Sequence, residues 1–125
     1  MFTDKKHKFS CKVWIEYKGN PVIGKGGAKI LEAIEKDRSI SKAAETAGMS
    51  YRYVWNYLQK IQKAIGEPIV ETYKGGRSGG GGARLTKLGK DLLIEYKQVE
   101  CYLSKILADS QRGGEKLEIK RKKPV

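Results

Sequence analysis

The side chains best suited to a chemical role lie just after Ser50. Arg52 can pair bidentately with guanine and Asn56 with adenine, and each such pair is worth roughly 1–3 kcal/mol of discrimination against the wrong base. Trp55 lies between them, and its ring is suited equally to base contacts and to packing in a core. These residue types predict a segment that reads base edges in a DNA duplex.

Residues for other kinds of chemistry are scarce. The chain has one histidine, His7, and two cysteines, Cys11 and Cys101, without the spacing of metal ligands. With one histidine and scattered acidic residues, the chain offers neither a nucleophile–base pair nor a pair of catalytic carboxylates. We therefore expect no enzymatic activity, no metal and no cofactor, and the sequence leaves open whether Cys101 ever forms a disulfide.

The chain has 125 residues, enough for one modest core, and a formal net charge of +12. Most of the excess charge lies in residues 1–12, 50–86 and 115–125. This balance favours a polyanionic partner, here double-stranded DNA, although the two ends could equally be solubilising tails. Because no apolar run is long enough for a membrane span and no secretory signal is visible, we expect a cytoplasmic, nucleoid-associated protein without membrane contact.

The periodicity of the apolar residues predicts a mainly helical α+β chain. An alternating pattern favours a strand over residues 12–18, after which Gly19-Asn20-Pro21 should break the chain. Helical patterns cover 25–37, 40–47 and 51–65, and strands are predicted at 69–73 and 83–85. The last helix should span residues 87–109. The resulting units are a basic leader with a strand (1–24), a DNA-binding domain (25–86), a dimerisation helix (87–109) and a basic tail (110–125).

The spacing of Ala44, Gly48 and Val54 is typical of a helix-turn-helix. A small residue lets two helices approach, the glycine makes the tight turn, and the aliphatic residue holds the second helix against the first. A basic hairpin with six glycines between residues 75 and 82 follows directly. A flexible linker between domains is the competing interpretation, but the predicted strands on both sides favour a wing. We therefore predict a winged helix-turn-helix fold with a long C-terminal helix.

The candidate DNA-binding residues are those left exposed once a buried stripe of Val54, Leu58, Ile61 and Ile65 is assigned to the core. Tyr57 is expected to be structural. Phosphate contacts are expected where the second helix begins and along the glycine-rich hairpin, whose backbone can lie close to a DNA strand. The full set comprises Ser41, Lys42, Ser50, Tyr51, Arg52, Trp55, Asn56, Gln59, Arg77, Ser78, Gly79, Arg84 and Thr86.

The last helix carries a candidate dimer seam. Its apolar residues recur at alternating intervals of four and three, as in a coiled coil. The same residues could instead pack against their own domain and leave the protein monomeric. The seam comprises Leu92, Tyr96, Val99, Leu103 and Ile106.

Two stretches carry a family resemblance. One is residues 39–55, with the Ser-Tyr-basic start of the third helix and Trp55; the other is residues 75–86, a glycine run ending in Ala83-Arg84-Leu85-Thr86. Together they closely resemble the N-terminal DNA-binding domain of the ModE-type molybdate-responsive regulators, and more loosely the LysR-type winged helix-turn-helix. The resemblance implies a dimer joined through the last helix, with Ser50, Tyr51, Arg52 and the glycine run facing DNA.

The resemblance covers about residues 25–109. Regulators of this kind carry C-terminal molybdate-binding domains, which need far more chain than the residues after Ser110. We therefore expect a homodimeric, sequence-specific transcriptional regulator that does not bind molybdate.

Two alternatives remain open. One is a sequence-indifferent nucleoid or chromatin protein, which the charge of +12 would support without any base readout. The other is an adaptor that binds a protein partner through the last helix.

Overall fold

The computed structural model describes residues 6–75 and 81–111. The elements, in chain order, are β1 (Ile15–Tyr17), β2 (Asn20–Ile23), α1 (Lys25–Asp37), α2 (Ile40–Ala47), α3 (Tyr51–Ile65), β3 (Val70–Tyr73), β4 (Gly82–Leu85) and α4 (Lys87–Gln111). The four predicted helices and the β3–β4 hairpin are confirmed, and the fold is a winged helix-turn-helix with a long last helix. We call the β3–β4 hairpin the wing.

The first strand has a partner that the sequence did not predict. β1 pairs with β2 in an antiparallel hairpin, in which Tyr17 lies opposite Asn20. The two residues between them, Lys18 and Gly19, have φ angles of 49° and 82°, the left-handed pair that a tight hairpin turn requires. The predicted break is therefore confirmed as a turn at Gly19 but is wrong for Asn20 and Pro21, which belong to a strand.

Side-chain caps set the start of the helices in the helix-turn-helix. The hydroxyl of Ser39 accepts a hydrogen bond from the Lys42 amide at 3.2 Å, and the hydroxyl of Ser50 accepts one from the Tyr53 amide at 3.1 Å. Between the two helices, Gly48 adopts φ 71°, which glycine reaches without steric cost. The turn that orients α3 against α2 therefore follows from these local residues.

The core lies between α1, α2, α3 and the base of the wing. The predicted stripe of α3 is confirmed: Val54, Leu58 and Ile61 are buried, and Ile65 is half-buried. They pack with aliphatic residues of α1 and β2 that are almost completely buried, such as Ile23, Leu31 and Ile34. Burial of this apolar surface holds α3 in place and leaves its other face in solvent.

Hydrogen bonds from main-chain amides tie the wing to the helices at its base. The side-chain carbonyl of Gln62 accepts hydrogen bonds from the amides of Ile69 (3.0 Å) and Val70 (3.1 Å). The amide of Ala83 donates to the carbonyl of Arg38 at 3.0 Å, so the corner between α1 and α2 lies along β4. The direction of the wing is thus fixed relative to α3.

The first half of α4 belongs to the same body. Leu93 and Tyr96 are buried in the core, and the ammonium group of Lys97 lies 2.9 Å from the carboxylate of Glu32 on α1. Across the described ranges, no helix is both long and apolar enough to cross a membrane.

Candidate nucleic-acid interface

The N-terminal half of α3 presents a row of exposed polar and aromatic side chains. At 100° per residue, Arg52, Asn56 and Gln59 lie on the side of the helix opposite the buried stripe. All three are exposed, as is Ser50, whose hydroxyl caps the helix. The structure therefore brings the central group of predicted site residues together on one open surface, which we call the α3 face.

Two aromatic rings flank this face. The rings of Tyr51 and Trp55 stack with their centroids 6.3 Å apart and their planes 11° from parallel. Tyr51 is 52% exposed and Trp55 is 39% exposed, so Trp55 is not a core residue, although the sequence allowed that alternative. Because each ring limits the rotation of the other, the pair forms a preorganised apolar edge beside Arg52.

The surroundings of the α3 face are electropositive. Residues 46–66 contain no Asp or Glu, whereas Arg52, Lys60 and Lys63 all lie on α3. Within the described residues, none of these three cations forms an ion pair with a carboxylate. Their charge is therefore directed to solvent, where it would attract an anionic strand.

Tyr57 has the structural role that was predicted for it. Its hydroxyl donates a hydrogen bond to the carbonyl of Val22 at 2.8 Å and so joins α3 to β2. Burial raises the pKa of the Tyr57 phenol to about 12, and the neighbouring Tyr53 adds to the shift. The ring also fills the space beside Gly27, where a Cβ atom would collide with the phenol oxygen.

A second predicted phosphate contact lies at the start of α2. Ser41 and Lys42 are both exposed in the first turn of this helix. The capping hydroxyl belongs to Ser39, which leaves the side chain of Ser41 outside the cap. Both side chains remain available for a phosphate group.

Two of the predicted wing residues, Arg84 and Thr86, already have interaction partners within the protein. The guanidinium of Arg84 lies 2.6 Å from the carboxylate of Glu71 and 5.5 Å from the centroid of the Tyr73 ring. Its charge is partly neutralised within the hairpin. The hydroxyl of Thr86 donates to the carbonyl of Pro68 at 2.9 Å and accepts from the amide of Gly89 at 3.1 Å, so it holds the wing base and caps α4.

Three predicted wing residues, Arg77, Ser78 and Gly79, lie outside the described residues. A fourth aromatic residue of α3, Tyr53, is 57% exposed although it is not among the predicted site residues. It lies off the buried stripe, and the same subtraction that selected Arg52 and Asn56 would have selected it.

The predicted dimer seam divides into two parts. Tyr96 is 3% exposed in the core of its own domain, and Leu92 is half-buried against that core. Val99 is 43% exposed, while Leu103 and Ile106 are half-buried in the last turns of α4. The second part offers most of the seam's apolar surface to a partner, because the body of the domain packs against the first half of the helix.

Among the described residues, no group of three His, Cys, Asp or Glu side chains is placed to hold a metal ion. Cys11 and Cys101 are exposed thiols.

Residues 27–90 match the family described as bacterial regulatory helix-turn-helix protein, lysR family. The molybdenum-pterin-binding protein MopA of Rhodobacter capsulatus is 34% identical over 95 residues, which are 76% of this chain and 36% of MopA. The DNA-binding transcriptional dual regulator ModE of Escherichia coli (strain K12) is 37% identical over 67 residues, which are 54% of this chain and 25% of that protein.

The chain thus spans about a third or less of the length of these relatives. Among solved structures, the BenM DBD in complex with catB site 1 DNA is similar in fold, with a TM-score of 0.52 and 15% identity over 71% of this chain and 94% of that chain. The match over residues 27–90 includes α2, the turn at Gly48, α3 and the wing. The chain therefore belongs to the LysR family of bacterial regulatory helix-turn-helix proteins, and its resemblance to ModE is confirmed.

Proposed function

We propose that this protein is a homodimeric transcriptional regulator that binds specific sequences in duplex DNA. The α3 face enters the major groove, where Arg52 and Asn56 contact base edges. Ser41, Lys42 and the wing contact the phosphate backbone on either side. The observation that carries the proposal is the exposed, carboxylate-free α3 face on a helix-turn-helix of the LysR family.

The roles within the α3 face follow from the chemistry of its side chains. Arg52 presents a forked donor that matches guanine, and Asn56 presents a donor and an acceptor that match adenine. The stacked rings of Tyr51 and Trp55 offer an apolar surface to a thymine methyl group or to the sugar backbone. Lys60 and Lys63 add attraction that does not depend on sequence.

Dimerisation through α4 would position two α3 faces for this mode of binding. The exposed Val99 and the half-buried Leu103 and Ile106 form an apolar strip on α4 beyond the domain body. Pairing of two such strips would bury them and hold two α3 faces on one side of a duplex. The bound sites should then be pseudo-palindromic, with half-sites about 34–36 Å or a multiple of that distance apart.

The test begins by selecting bound sequences from a random duplex library and measuring affinity for the selected duplex by fluorescence anisotropy at physiological salt. We expect binding that survives an excess of random DNA. Equal binding to selected and random duplexes would show a sequence-indifferent DNA-binding protein instead, and no binding even at low salt would favour an adaptor.

The matched variants are Arg52→Ala and Lys29→Ala. Each removes one exposed cation. Lys29 lies on α1, one turn before Glu32, and Glu32 pairs with Lys97 on α4, so Lys29 serves as the control outside the α3 face. Arg52→Ala should lose roughly 1–3 kcal/mol of binding free energy and should relax the preference at particular base positions. If both variants weaken all sequences alike, Arg52 does not read bases.

A further inference from the structure

A cleft opens on the part of the domain that the proposed DNA interface does not use. It has a volume of about 610 Å³ and lies between the β1–β2 hairpin, the end of α3 and the first turns of α4. Its apolar lining consists of Ile15, Val22, Ile65, Leu88 and Leu92. All but Val22 are only half-buried, so they keep apolar surface that a bound molecule could cover. The volume is within the range of small-molecule sites.

Three carboxylates also line this cleft. They belong to Glu16, Glu67 and Glu95, which come from three separate elements or turns of the chain. Within the described residues, none of them forms an ion pair with a Lys or Arg, and Glu16 accepts only the indole N–H of Trp14, at 2.8 Å. This is notable in a chain with 26 Lys and Arg residues for 14 Asp and Glu residues.

An aromatic ring completes the lining. Tyr17 faces the cleft, and the ammonium group of Lys18 lies 5.6 Å from the centroid of its ring. The fold therefore already holds one cation over this ring, in the geometry of a cation–π contact. Lys18 is not itself among the lining residues, so its charge lies at the margin of the cleft.

We propose that this cleft binds a small organic cation with an apolar body, such as an ammonium or phosphonium ion with hydrophobic substituents. The apolar body would cover Ile65, Leu88 and Leu92 and release the water that hydrates them. The three carboxylates would balance its positive charge and would repel an anionic ligand. Binding at this cleft does not depend on the proposed DNA function.

The probe for the test is tetraphenylphosphonium, titrated into the full-length protein without DNA. Binding is followed by calorimetry and by the methyl resonances of isoleucine and leucine residues. We expect saturable binding at one site per chain, with shifts concentrated at Ile15, Ile65, Leu88 and Leu92. The proposal is overturned by the absence of saturable binding, or by shifts that concentrate instead at Ile94 on the far side of α4.

Three variants identify the groups responsible. Glu67→Gln/Glu95→Gln should weaken binding about tenfold because it removes two of the three negative charges. Glu45→Gln removes an exposed carboxylate on α2 and should leave the affinity unchanged. Lys18→Gln should strengthen binding about twofold to threefold, because it removes the cation that competes for Tyr17.

The melting temperature of each variant checks that it folds. Equal affinities of the Glu67→Gln/Glu95→Gln and Glu45→Gln variants would contradict the proposal.

A peptide with the sequence of residues 112–125 is a second probe, since this segment is also basic. If that peptide shifts the cleft methyls and tetraphenylphosphonium does not, the cleft is a peptide site and the proposal fails.

Discussion

The phenol oxygen of Tyr57 lies 2.8 Å from the carbonyl oxygen of Val22, and this hydrogen bond joins the middle of α3 to the strand that precedes α1. The contact depends on Gly27, which leaves room for the Tyr57 ring against α1. The position of the proposed recognition helix is therefore set from the N-terminal hairpin as well as from the helix-turn-helix.

Two adjacent glycines of α1 should respond oppositely to the same substitution. In Gly27→Ala the new Cβ would collide with the Tyr57 hydroxyl, and we expect the free energy of unfolding to fall by roughly 1–3 kcal/mol. In Gly26→Ala the new Cβ meets nothing within 4 Å, and we expect a gain of about 0.4–1 kcal/mol from helix propensity. Urea denaturation measures both. Equal changes in the two variants would show that Tyr57 is not held against α1.

The raised pKa of Tyr57 predicts a loss of stability at high pH. The folded state keeps the phenol proton up to about pH 12, whereas the unfolded chain loses it near the ordinary tyrosine pKa of 10.0. The contribution of Tyr57 is therefore fully present below pH 10 and lost as the pH rises through 12, a loss of about 3 kcal/mol.

Denaturation of the wild type and of Tyr57→Phe at several pH values isolates this contribution, because the other titrating groups are common to both. The stability difference between the two proteins should shrink between pH 10 and 12. A constant difference across that range would contradict the raised pKa.

Thr86 should be a stability residue rather than a DNA contact. Thr86→Val keeps the shape but removes both the cap of α4 and the bond to Pro68, and it should cost about 1–2 kcal/mol of folding free energy. Thr86→Ser keeps the hydroxyl and should lose much less. Thermal denaturation compares them. A Thr86→Val variant with wild-type stability and weakened DNA binding would reverse the assignment.

The pairing of Arg84 with Glu71 predicts a variant with tighter DNA binding. Glu71→Gln removes a carboxylate from the wing and releases the Arg84 guanidinium, so the affinity for DNA at low salt should rise. The plot of the logarithm of the binding constant against the logarithm of the salt concentration should also become steeper, by up to about one unit of slope. Anisotropy titrations at several salt concentrations measure this. The control is Glu32→Gln, which releases Lys97 between α1 and α4 and should leave the slope unchanged.

The two sides of α4 should differ in their effect on assembly. Val99→Glu/Leu103→Glu places charges on the proposed dimer strip and should convert the protein to a monomer of 14.0 kDa. Ile94→Glu places a charge on the far side of the helix, where Ile94 is 55% exposed, and should leave the dimer intact. Analytical ultracentrifugation distinguishes the masses. A wild type that remains at 14.0 kDa at every concentration would remove the dimer from the proposal.

The helices could be predicted from the sequence because each carries its own local signals. Ser50 caps α3 and the left-handed turn at Gly48 ends α2, and both act within a few residues of the chain. The apolar spacing of Val54, Leu58 and Ile61 then assigns the buried side of α3. Exposure of Arg52 and Asn56 follows by subtraction and needs no knowledge of the tertiary structure.

Other features depend on contacts between distant segments, which sequence patterns do not show. The strand β2 was missed because Pro21 argues against a strand and because Lys18 takes a backbone conformation that is uncommon for its residue type. Arg84 lies directly across from Glu71 only because of the hairpin register. Tyr96 has the spacing of a seam residue, yet it is buried because the first half of α4 packs on the domain body.

The hydrogen bond from the amide of Ala83 to the carbonyl of Arg38 occupies a main-chain donor of β4 with the corner between α1 and α2. This single amide consequently reports on the attachment of the wing to the helices. Its rate of exchange with solvent deuterium measures how often the two parts separate, and a duplex that holds both parts at once would slow that exchange.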